Sequence, residues 1–367
     1  MHITETAIPG LLIIGLDVHG DNRGWFKENW QREKLTELAP KLASFQPVQN
    51  NVSYNHAGAT RGLHAEPWDK LVSVAQGKIF GAWCDLREGS ESFGEVVTHE
   101  VGPETAVFVP RGVANGFQAL EETSYCYLVN EHWSAEALYS AVNLNIIDWP
   151  LEPTEISKKD KQHPALEDVS PMPARRILVT GANGQLGRAL KRLLADAEFC
   201  THAEFDITNP PARNWKQYSA IINCAAYNDV NGAESDRAAA WAVNAEGPAK
   251  LARIAAENQI TLVHVSSDYI FDGANEVHTE EELPSPLSAY GASKAAGDTA
   301  AQTAPQHYVI RTSWVFGEGE NFMSTMRRLA NRGVEPKVIH DQRGRPTFAE
   351  DLAKGIVHLL KSGAEYG

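Results

Sequence analysis

The stretch Arg176-Ile-Leu-Val-Thr-Gly-Ala-Asn-Gly-Gln-Leu-Gly187 decides the fold of the second half of the chain. An apolar run leads into its first glycine, and the helix-forming run RALKRLLAD follows its last one. The glycines Gly181, Gly184 and Gly187 have the spacing G-x-x-G-x-x-G. Between a strand and a helix, this spacing permits a tight turn, close approach of the backbone to a pyrophosphate and close packing of the helix. We therefore predict a dinucleotide-binding turn, with free N–H groups of the helix N-terminus facing the phosphates.

The predicted cofactor site extends from this turn to the strand ends beside it. A site selective for NAD places an Asp or Glu after the second strand, where it binds the ribose 2′-hydroxyl. The corresponding segment, Cys200-Thr201-His202, has no acid, so we expect NADPH to be accepted as well as NADH or better. The predicted cofactor-binding residues are Gly181, Asn183, Gly184, Gln185, Leu186, Gly187, Asp206, Ile207, Ala225, Ala226, Tyr290 and Lys294.

The pattern of the sequence changes near residue 170. After that point, apolar strands such as AIINCAAY and TLVHVSSDYIF alternate with Ala-rich helices, which predicts βαβ units on a doubly wound parallel sheet. Before it, short apolar stretches are separated by Gly and Pro turns, which predicts an all-β sandwich or barrel. We expect domains at residues 1–165 and 175–367, joined by a proline-rich linker at 166–174.

Composition excludes several classes of function. The chain has 367 residues and a formal net charge of −14, with no long Lys/Arg cluster, which argues against binding to nucleic acids or anionic membranes. The only apolar run near the N-terminus is Leu11–Leu16, and no signal peptide is recognisable. We expect a cytoplasmic protein without disulfides or zinc, because its cysteines form no C-x-x-C pair; they are Cys84, Cys126, Cys200 and Cys224.

Three residues of the second half predict proton-transfer chemistry. Tyr290 and Lys294 are four positions apart, so they share one face of a helix. The lysine charge can lower the pKa of the phenol and make it a usable proton donor. Ser267 ends the apolar strand LVHVSS, at the sheet edge that lines the ligand crevice. Tyr and Lys at this spacing alone would indicate only a solvated helix face; the upstream glycine turn and the serine favour catalysis.

The second half resembles the extended short-chain dehydrogenases, and among them the dTDP-4-dehydrorhamnose reductases. The resemblance covers Arg175 to the end of the chain, in the stretches TGANGQLG, INCAAYNDVNGAE, AVNAEGPAKLA, SSDYIFDG, YGASKAAGD, IRTSWVFGEGENF and DQRGRPTFAEDLA. It implies that Ser267 polarises the C4 carbonyl of the sugar and Tyr290 protonates the new alkoxide. Lys294 would hold the nicotinamide ribose, and the cofactor would supply the hydride.

Two departures from this family affect the expectations. Some relatives bind magnesium through a Glu just after the glycine motif, and Ala189 stands in that place, so magnesium is in doubt. The family also continues well beyond the sequence that ends in GIVHLLKSGAEYG, and its tail helps to build the sugar-nucleotide pocket. We therefore expect a truncated chain whose reductase activity is impaired.

The motifs of the first half are less specific. In chain order they are D21-N-R-G-W-F-K-E28, V48-Q-N-N-V-S53, R61-G-L-H64 and then Lys70. Arg and Lys side chains suit a pyrophosphate. Histidine, which titrates near neutral pH, suits removal of a proton next to a ketone. Polar residues scattered over a β-sandwich would give the same pattern without any function.

The order of these motifs resembles the dTDP-4-dehydrorhamnose 3,5-epimerases, which are cupin-like jelly rolls. The resemblance covers roughly Met1 to Ala165 and extends to SFGEVVTHEV, FVPRGVANGFQAL and IIDWPLEPTEISKKDKQHP. It implies that His64 removes the C5 and C3 protons and that Lys70 stabilises the enolate oxygen. Asp160, or alternatively Asp85, would orient His64. The implied contacts to the nucleotide diphosphate are Arg23, Glu28, Gln49, Asn51 and Arg61.

Two positions depart from the epimerase pattern. The general-acid tyrosine of the family aligns with Trp133, which cannot donate a proton usefully, and the His of P-x-G-x-x-H-G-F is Asn115. The proton donor would then be Tyr127, Tyr139 or water, and His64 the one indispensable proton-transfer group. We expect no metal, because metal-dependent cupins use an H-x-H pair that this sequence lacks.

The leading hypothesis is a bifunctional epimerase and reductase of dTDP-L-rhamnose biosynthesis, working as a homodimer on a dTDP-sugar. One alternative is a reductase for another nucleotide deoxysugar, with a first half that only binds. Another is a non-catalytic NADP-binding regulatory protein; the intact Ser267, Tyr290 and Lys294 set argues against it.

Overall fold

The chain folds into two units in a computed structural model. Contacts divide it into Met1–Ala174 and Arg175–Gly367, and each unit has its own hydrophobic clusters. The division falls where the sequence predicts the second domain to begin. The structure describes residues 1–134, 137–336, 344–362 and 364–367, without the side chain of Lys41. Part of the motif DQRGRPTFAEDLA therefore lies outside the described residues.

The first unit is built mainly from antiparallel strands. These are β1 (His2–Glu5), β2 (Leu12–Gly15), β3 (Val18–Asp21), β4 (Gly24–Lys27), β5 (Gln49–Asn55), β6 (Thr60–Ala65), β7 (Lys70–Gln76), β8 (Ile79–Asp85), β9 (Val96–Val101), β10 (Thr105–Val109), β11 (Val113–Ala119), β12 (Thr123–Val129) and β13 (Ser140–Ala141). Helix α1 (Arg32–Leu38) and short 3-10 turns at Pro40–Ser44, Leu144–Ile146, Asp160–Gln162 and Leu166–Asp168 complete it.

Two sheets of this unit face each other, which confirms the predicted jelly roll. One has the strand order β1-β2-β10-β7-β12-β5 and the other β13-β6-β11-β8-β9. Their inner faces share a core in which Val72 and Val107 of the first sheet meet Trp83 and Phe117 of the second. A two-stranded hairpin, β3–β4, stands outside both sheets.

Residues 166–174, predicted to be a linker, do not form an open connection, because they pack on the first unit. Val169 and Met172 are buried in its core, and the Met172 amide donates to the Leu86 carbonyl at 2.7 Å. Leu166, Val169 and Met172 are spaced three apart and present apolar side chains to the sheet. The proline-rich composition concealed this apolar spacing.

The second unit alternates strands and helices. Its strands are β14 (Arg176–Thr180), β15 (Glu198–Cys200), β16 (Tyr218–Asn223), β17 (Thr261–Ser267), β18 (His307–Thr312), β19 (Val315–Phe316) and β20 (Thr347–Phe348). Its helices are α2 (Gln185–Lys191), α3 (Val230–Ser235), α4 (Arg237–Trp241), α5 (Gly247–Asn258), α6 (Ala289–Ala301), α7 (Phe322–Asn331) and α8 (Ala349–Ser362). A π-helical turn lies at Ala242–Glu246, and 3-10 turns lie at Trp215–Gln217 and Asp268–Ile270.

A parallel sheet of order β15-β14-β16-β17-β18 confirms the predicted doubly wound fold. Neighbouring residues on its strands are buried on opposite faces. Leu178 and Ile221 pack with α5 on one face, whereas Val179 and Ile222 pack with α2 and α8 on the other. This two-sided burial explains why the strands read as continuous apolar runs. Among the described residues, no helix has the length and apolar character that crossing a membrane requires.

Candidate functional site

A histidine–aspartate pair lies on one wall of a cavity in the first unit. Along β6, Leu63 and Ala65 point into the core, so the alternation of the strand turns His64 the other way. His64 Nε2 lies 2.9 Å from Oδ1 of Asp160, which opens a 3-10 turn. Burial alone would raise the pKa of Asp160, but the hydrogen bond and charge of His64 outweigh it and hold that pKa at about 2. The carboxylate is therefore ionised and can fix the orientation of the imidazole.

A lysine and a tyrosine line the same cavity, which has a volume of about 690 Å³. Lys70 is buried at the start of β7 and forms an ion pair with Glu66. Its ammonium also lies 5.0 Å from the ring centroid of Tyr127 on β12. Burial, and then the charge of Glu66, raise the pKa of Tyr127, so its phenol keeps its proton. The cavity thus contains a potential base, a cation and a potential acid.

Of the two positions that depart from the epimerase pattern, one lies beside His64 and the other lies outside the cavity. Asn115 on β11 stands directly opposite His64 on β6, and its side-chain amide donates to the Tyr125 hydroxyl at 3.1 Å. Trp133 is 65% exposed and does not line the cavity. Tyr139 packs edge-on against Trp68 and also lies outside the cavity lining. Of the tyrosines considered as donors, only Tyr127 is in the cavity.

The predicted nucleotide-binding residues separate into two groups. Arg61 and Asn51 line the cavity; Arg61 Nε donates to Asn55, and Asn51 accepts from Gln49. Arg23 and Glu28 lie outside it. Arg23 sits in the turn of the β3–β4 hairpin, exposed and paired with Asp21. Glu28 follows that hairpin and pairs with Lys34.

Asp85, the alternative partner for His64, is engaged elsewhere. It is fully buried at the end of β8 and pairs with Arg87 at 2.7 Å. The hydroxyls of Ser90 and Ser92 donate to the same carboxylate at 2.7 and 2.6 Å. The structure therefore excludes Asp85 as the residue that orients His64, and it assigns Asp85 to holding the β8–β9 connection.

Replacing Asp85 with asparagine should destabilise the first unit by about 1.5–3 kcal/mol, because the fully buried side chain loses its charge-assisted hydrogen bonds while Arg87, 26% exposed, stays partly solvated. Burial raises the pKa of Asp85, but hydrogen bonds from Arg87 and the two serines outweigh it and hold that pKa at about 2. This stabilisation is present above the unfolded pKa of about 4 and is lost as the pH falls through 2. Hydrogen exchange of β8 and β9 peptides would measure both effects. Asp21→Asn, which breaks an exposed pair, should leave that exchange unchanged.

The glycine turn of the second unit lies at the carboxyl ends of the parallel strands. Gly181 has φ +69°, which favours glycine, and a Cβ there would come within 2.7 Å of the Ala225 amide nitrogen. A Cβ on Gly187 would come within 2.6 Å of the Gly181 carbonyl oxygen. The Ala182 amide donates to the Cys200 carbonyl at 3.1 Å and joins the turn to the end of β15. The turn therefore packs closely against Ala225, and its more open side is at Gly184, where a Cβ would meet only the Gly181 carbonyl oxygen at 3.2 Å.

Other predicted cofactor residues have different surroundings. The Asn183 carbonyl accepts from Arg188, and Gln185 donates weakly to the Val315 carbonyl at 3.4 Å. The side chain of Leu186 is buried in the core, so only its backbone can contact a cofactor. Two further predicted cofactor residues lie after β15: Asp206 forms a turn with Thr208, and Ile207 packs against Gly247. The last two are Gly184, at the start of α2, and Ala226, just after β16. Ala189, at the position considered for magnesium, is buried and offers no ligand atom.

Ser267, Tyr290 and Lys294 converge at the end of β17. Ser288 caps α6 by accepting from the Gly291 amide at 3.0 Å. A Cβ on Gly291 would come within 2.1 Å of the Tyr269 carbonyl, so this glycine lets α6 approach the turn that follows Ser267. Lys294 Nζ then donates to the Val265 carbonyl at 2.7 Å, two residues before the serine.

Burial has the largest influence on the pKa values of Tyr290 and Lys294. Burial raises the pKa of Tyr290, and the neighbouring Ser267 hydroxyl lowers it only in part. Burial lowers the pKa of Lys294 to about 8, against the opposing charge of Asp298. The Lys294 ammonium donates to the Val265 carbonyl, and burial is the largest influence on the pKa of Tyr290. Ser267, Tyr290 and Lys294 could therefore form a proton-donating site, in which the Tyr290 phenol is protonated at neutral pH.

Several polar residues near these sites carried no strong sequence signal. In the first unit they are Glu66, four residues before Lys70, and His163, three residues after Asp160. In the second unit, buried His264 and Asp298 lie with Nε2 and Oδ1 3.7 Å apart beneath Lys294. The spacing D-x-x-H could have indicated His163, but the other contacts join residues distant in sequence.

Comparisons with known proteins divide the chain at the same place. A family model described as dTDP-4-dehydrorhamnose 3,5-epimerase matches residues 5–168, and one described as RmlD substrate binding domain matches residues 175–366. A protein from Streptococcus pyogenes named "Protein RmlC homolog" is 51% identical over 176 residues, which are 45% of this chain and 89% of that protein.

The second half has relatives among the reductases. A dTDP-4-dehydrorhamnose reductase from Mycobacterium tuberculosis is 41% identical over 204 residues, 52% of this chain and 67% of that protein. The crystal structure of such a reductase from Clostridium acetobutylicum is 39% identical with a TM-score of 0.50, and the match covers 52% of this chain and 72% of that one. The match to a further reductase, from Mycolicibacterium smegmatis, covers 63% of its length. The chain therefore belongs to two families, the dTDP-4-dehydrorhamnose 3,5-epimerases in its first half and the RmlD-type dTDP-4-dehydrorhamnose reductases in its second.

Proposed function

We propose that this chain carries out two consecutive reactions of dTDP-L-rhamnose biosynthesis. The first unit would epimerise dTDP-4-keto-6-deoxyglucose at C3 and C5. The second would reduce the 4-keto group with NADPH to give dTDP-L-rhamnose. The observation that carries the proposal is the cavity of the first unit, where the His64–Asp160 pair occurs together with Lys70 and Tyr127. Reduction would follow epimerisation directly and trap its unstable product.

In the first reaction His64 is the base. A carbon next to a ketone loses its proton when a base is within reach and the enolate oxygen is stabilised. Asp160 holds His64 in orientation through Nε2, which leaves Nδ1 to accept the proton. Lys70 supplies positive charge for the enolate oxygen. Tyr127 then donates a proton to the carbon from the opposite face, and this step inverts the configuration.

In the second reaction Ser267 would hold the C4 carbonyl oxygen and Tyr290 would protonate the alkoxide. The cofactor, when bound, supplies the hydride. The glycine turn fits a dinucleotide, because Gly181 and Gly187 let it pack against Ala225 and Ala182 while Gly184 leaves its outer side free of other atoms except the Gly181 carbonyl oxygen. After β15 ends at Cys200, Thr201 and the exposed His202 follow without an acid, which supports NADPH rather than a strict preference for NADH.

We also propose that the protein works as a homodimer in the cytoplasm. Trp25 and Phe26 of the β3–β4 hairpin are 48% and 66% exposed. Val52 and Tyr54 are similarly exposed on β5, an edge strand beside the cavity. A second copy that covers these side chains would explain why Arg23 and Glu28 lie outside the cavity of their own chain. Analytical ultracentrifugation that finds only monomers would contradict this proposal.

The decisive experiment supplies the full chain with dTDP-4-keto-6-deoxyglucose in D2O and follows the sugar by NMR. Without cofactor, deuterium should enter C3 and C5 and epimerised product should appear. With NADPH added, its absorbance should fall as dTDP-L-rhamnose forms. Deuterium exchange without oxidation of NADPH or NADH would restrict the function to epimerisation. Binding of the sugar nucleotide without exchange would reduce the first unit to a binding module.

Replacing Tyr127 with phenylalanine should lower formation of epimerised product by about 10²–10⁴-fold, the usual contribution of a positioned acid. Exchange at C5 should persist, because His64 can return a solvent deuteron to the face from which it took the proton. NMR in D2O separates exchange with retention from exchange with inversion. Tyr139→Phe is the matched control and should leave inversion intact. Unchanged inversion in Tyr127→Phe would identify water or another group as the donor.

A further inference from the structure

His163 has an environment that the proposed reactions do not explain. Its side chain is 7% exposed, and neither ring nitrogen has a well-aligned hydrogen-bond partner within the described part of the chain; burial lowers the pKa of His163 more than a contact with the Val142 backbone raises it. Its ring packs edge-on against the His64 ring, with centroids 5.0 Å apart. A buried imidazole without partners carries a desolvation cost that a bound ligand would offset.

The nitrogens of His163 lie close to two other potential metal ligands. His163 Nε2 is 3.9 Å from Asp160 Oδ1, and His64 Nε2 is 2.9 Å from the same oxygen. One ligand atom from each of the three residues lies within 4.8 Å of the others. In a tetrahedral zinc site with bonds of about 2.0–2.2 Å, ligand atoms are about 3.3 Å apart. The two separations from Asp160 bracket that value and the third is at most 4.8 Å, so shifts of up to about 1.5 Å would complete the geometry.

We propose that His64, Asp160 and His163 form a binding site for a divalent ion of the zinc class, and that this ion inhibits the epimerase. Two imidazoles and a carboxylate are the ligand types that zinc prefers, and three protein ligands leave a fourth position open. His64 is 35% exposed and lines the cavity, so the open position faces the space where substrate binds. These ligands do not form an H-x-H pair, because His64 is 96 residues before Asp160 and His163 is three residues after it.

Inhibition follows from the tautomer that the metal requires. In the metal-free pair, Nε2 of His64 carries the proton toward Asp160, and Nδ1 keeps the lone pair that acts as base. A metal on Nε2 takes the lone pair of that atom, so the single proton of the neutral ring moves to Nδ1. The ring then has no lone pair with which to remove a carbon-bound proton. The inhibition, unlike the binding, rests on the proposed epimerase function.

Cobalt(II) titration of the full chain, stripped of metals beforehand, tests the binding without any activity. We expect visible absorption bands of tetrahedral cobalt that saturate at one ion per chain and disappear when zinc is added. His163→Phe keeps the ring packing but removes the ligand. It should weaken binding by more than about 100-fold, the upper end for loss of an outer-shell group. His163→Gln serves as a second variant if the phenylalanine does not fold, and circular dichroism reports folding.

The matched control is His99→Phe, the same change on strand β9. It should leave the cobalt bands unchanged. A wild-type protein without tetrahedral bands, or bands that persist in both His163 variants, would overturn the site.

Zinc sensitivity of C5 deuterium exchange then tests the inhibition, with each variant compared to its own rate without metal. Saturating zinc should abolish exchange in the wild type and leave the His163 variants unaffected. Exchange that continues in the wild type while cobalt or zinc is bound would refute inhibition. If the metal-free wild type shows no exchange at all, the epimerase proposal fails, and the cobalt bands alone still decide whether the site exists.

Discussion

Replacing His64 with alanine should abolish deuterium exchange at both C3 and C5 of dTDP-4-keto-6-deoxyglucose. We expect a loss of at least about 10²–10⁴-fold, the contribution of a positioned general base. The effect should be this large because Asp160 holds the imidazole at 2.9 Å, and no other described histidine lines the cavity. Lys70 is paired with Glu66, and in the proposed mechanism it stabilises charge rather than removing protons.

His99→Ala is the control for this prediction, because it removes an imidazole from β9, which pairs only with β8 on the far edge of its sheet. His99→Ala should catalyse deuterium exchange at C3 and C5 of the sugar at the wild-type rate. NADPH reduction of a supplied epimerised sugar should survive in His64→Ala, since the second unit has its own core and proton donor. If His64→Ala still exchanged deuterium at a rate close to that of the wild type, another group would have to be the base.

Replacing Tyr290 with phenylalanine should reduce kcat for the 4-keto sugar by about 10²–10⁴-fold, while NADPH binding stays nearly intact. In the proposed mechanism the phenol acts only in the chemical step, when it would donate its proton to the alkoxide. Since burial raises the pKa of Tyr290, the phenol should hold that proton throughout the neutral range. Single-turnover kinetics would measure the step, and NADPH fluorescence titration would measure binding.

Tyr269→Phe is a matched control. The Tyr269 ring packs edge-on against the Tyr290 ring, with centroids 5.6 Å apart. The substitution keeps this ring and removes only a hydroxyl that is not the proposed proton donor. It should retain most of the activity. Should NADPH affinity fall in Tyr290→Phe as far as kcat does, the tyrosine would be structural. A wild-type chain that binds NADPH but reduces no 4-keto sugar would contradict the proposed reductase function itself.

The sequence was most informative where chemistry depends on local spacing. The glycine turn needs three residues within seven positions, and its strand and helix follow directly from apolar runs on either side. Tyr290 and Lys294 are one helical turn apart, so their shared helix face was predictable from spacing alone. The two-sheet fold of the first half was also predictable, because short apolar stretches alternated with turn residues.

The sequence was least informative where contacts join distant segments. The choice between Asp160 and Asp85 depended on which acid the chain brings to His64, and spacing carries no information on that. The pairing of Lys70 with Glu66, and its effect on Tyr127, likewise depend on how the two sheets pack. The expected effect of Lys294 on Tyr290 stays a prediction; burial, which spacing does not report, raises the pKa of Tyr290 and lowers that of Lys294.

The His64–Asp160 pair, whose members are 96 residues apart in the chain, has a consequence for biosynthesis on the ribosome. At about 5–20 residues per second, His64 is made about 5–20 s before its partner. The nascent chain therefore cannot form the pair until nearly the whole first unit has been translated. When Asp160 is added to the chain, most of the second unit has yet to be synthesised. The first unit can thus fold while the second is still being translated, so the order of synthesis matches the order of the two proposed reactions.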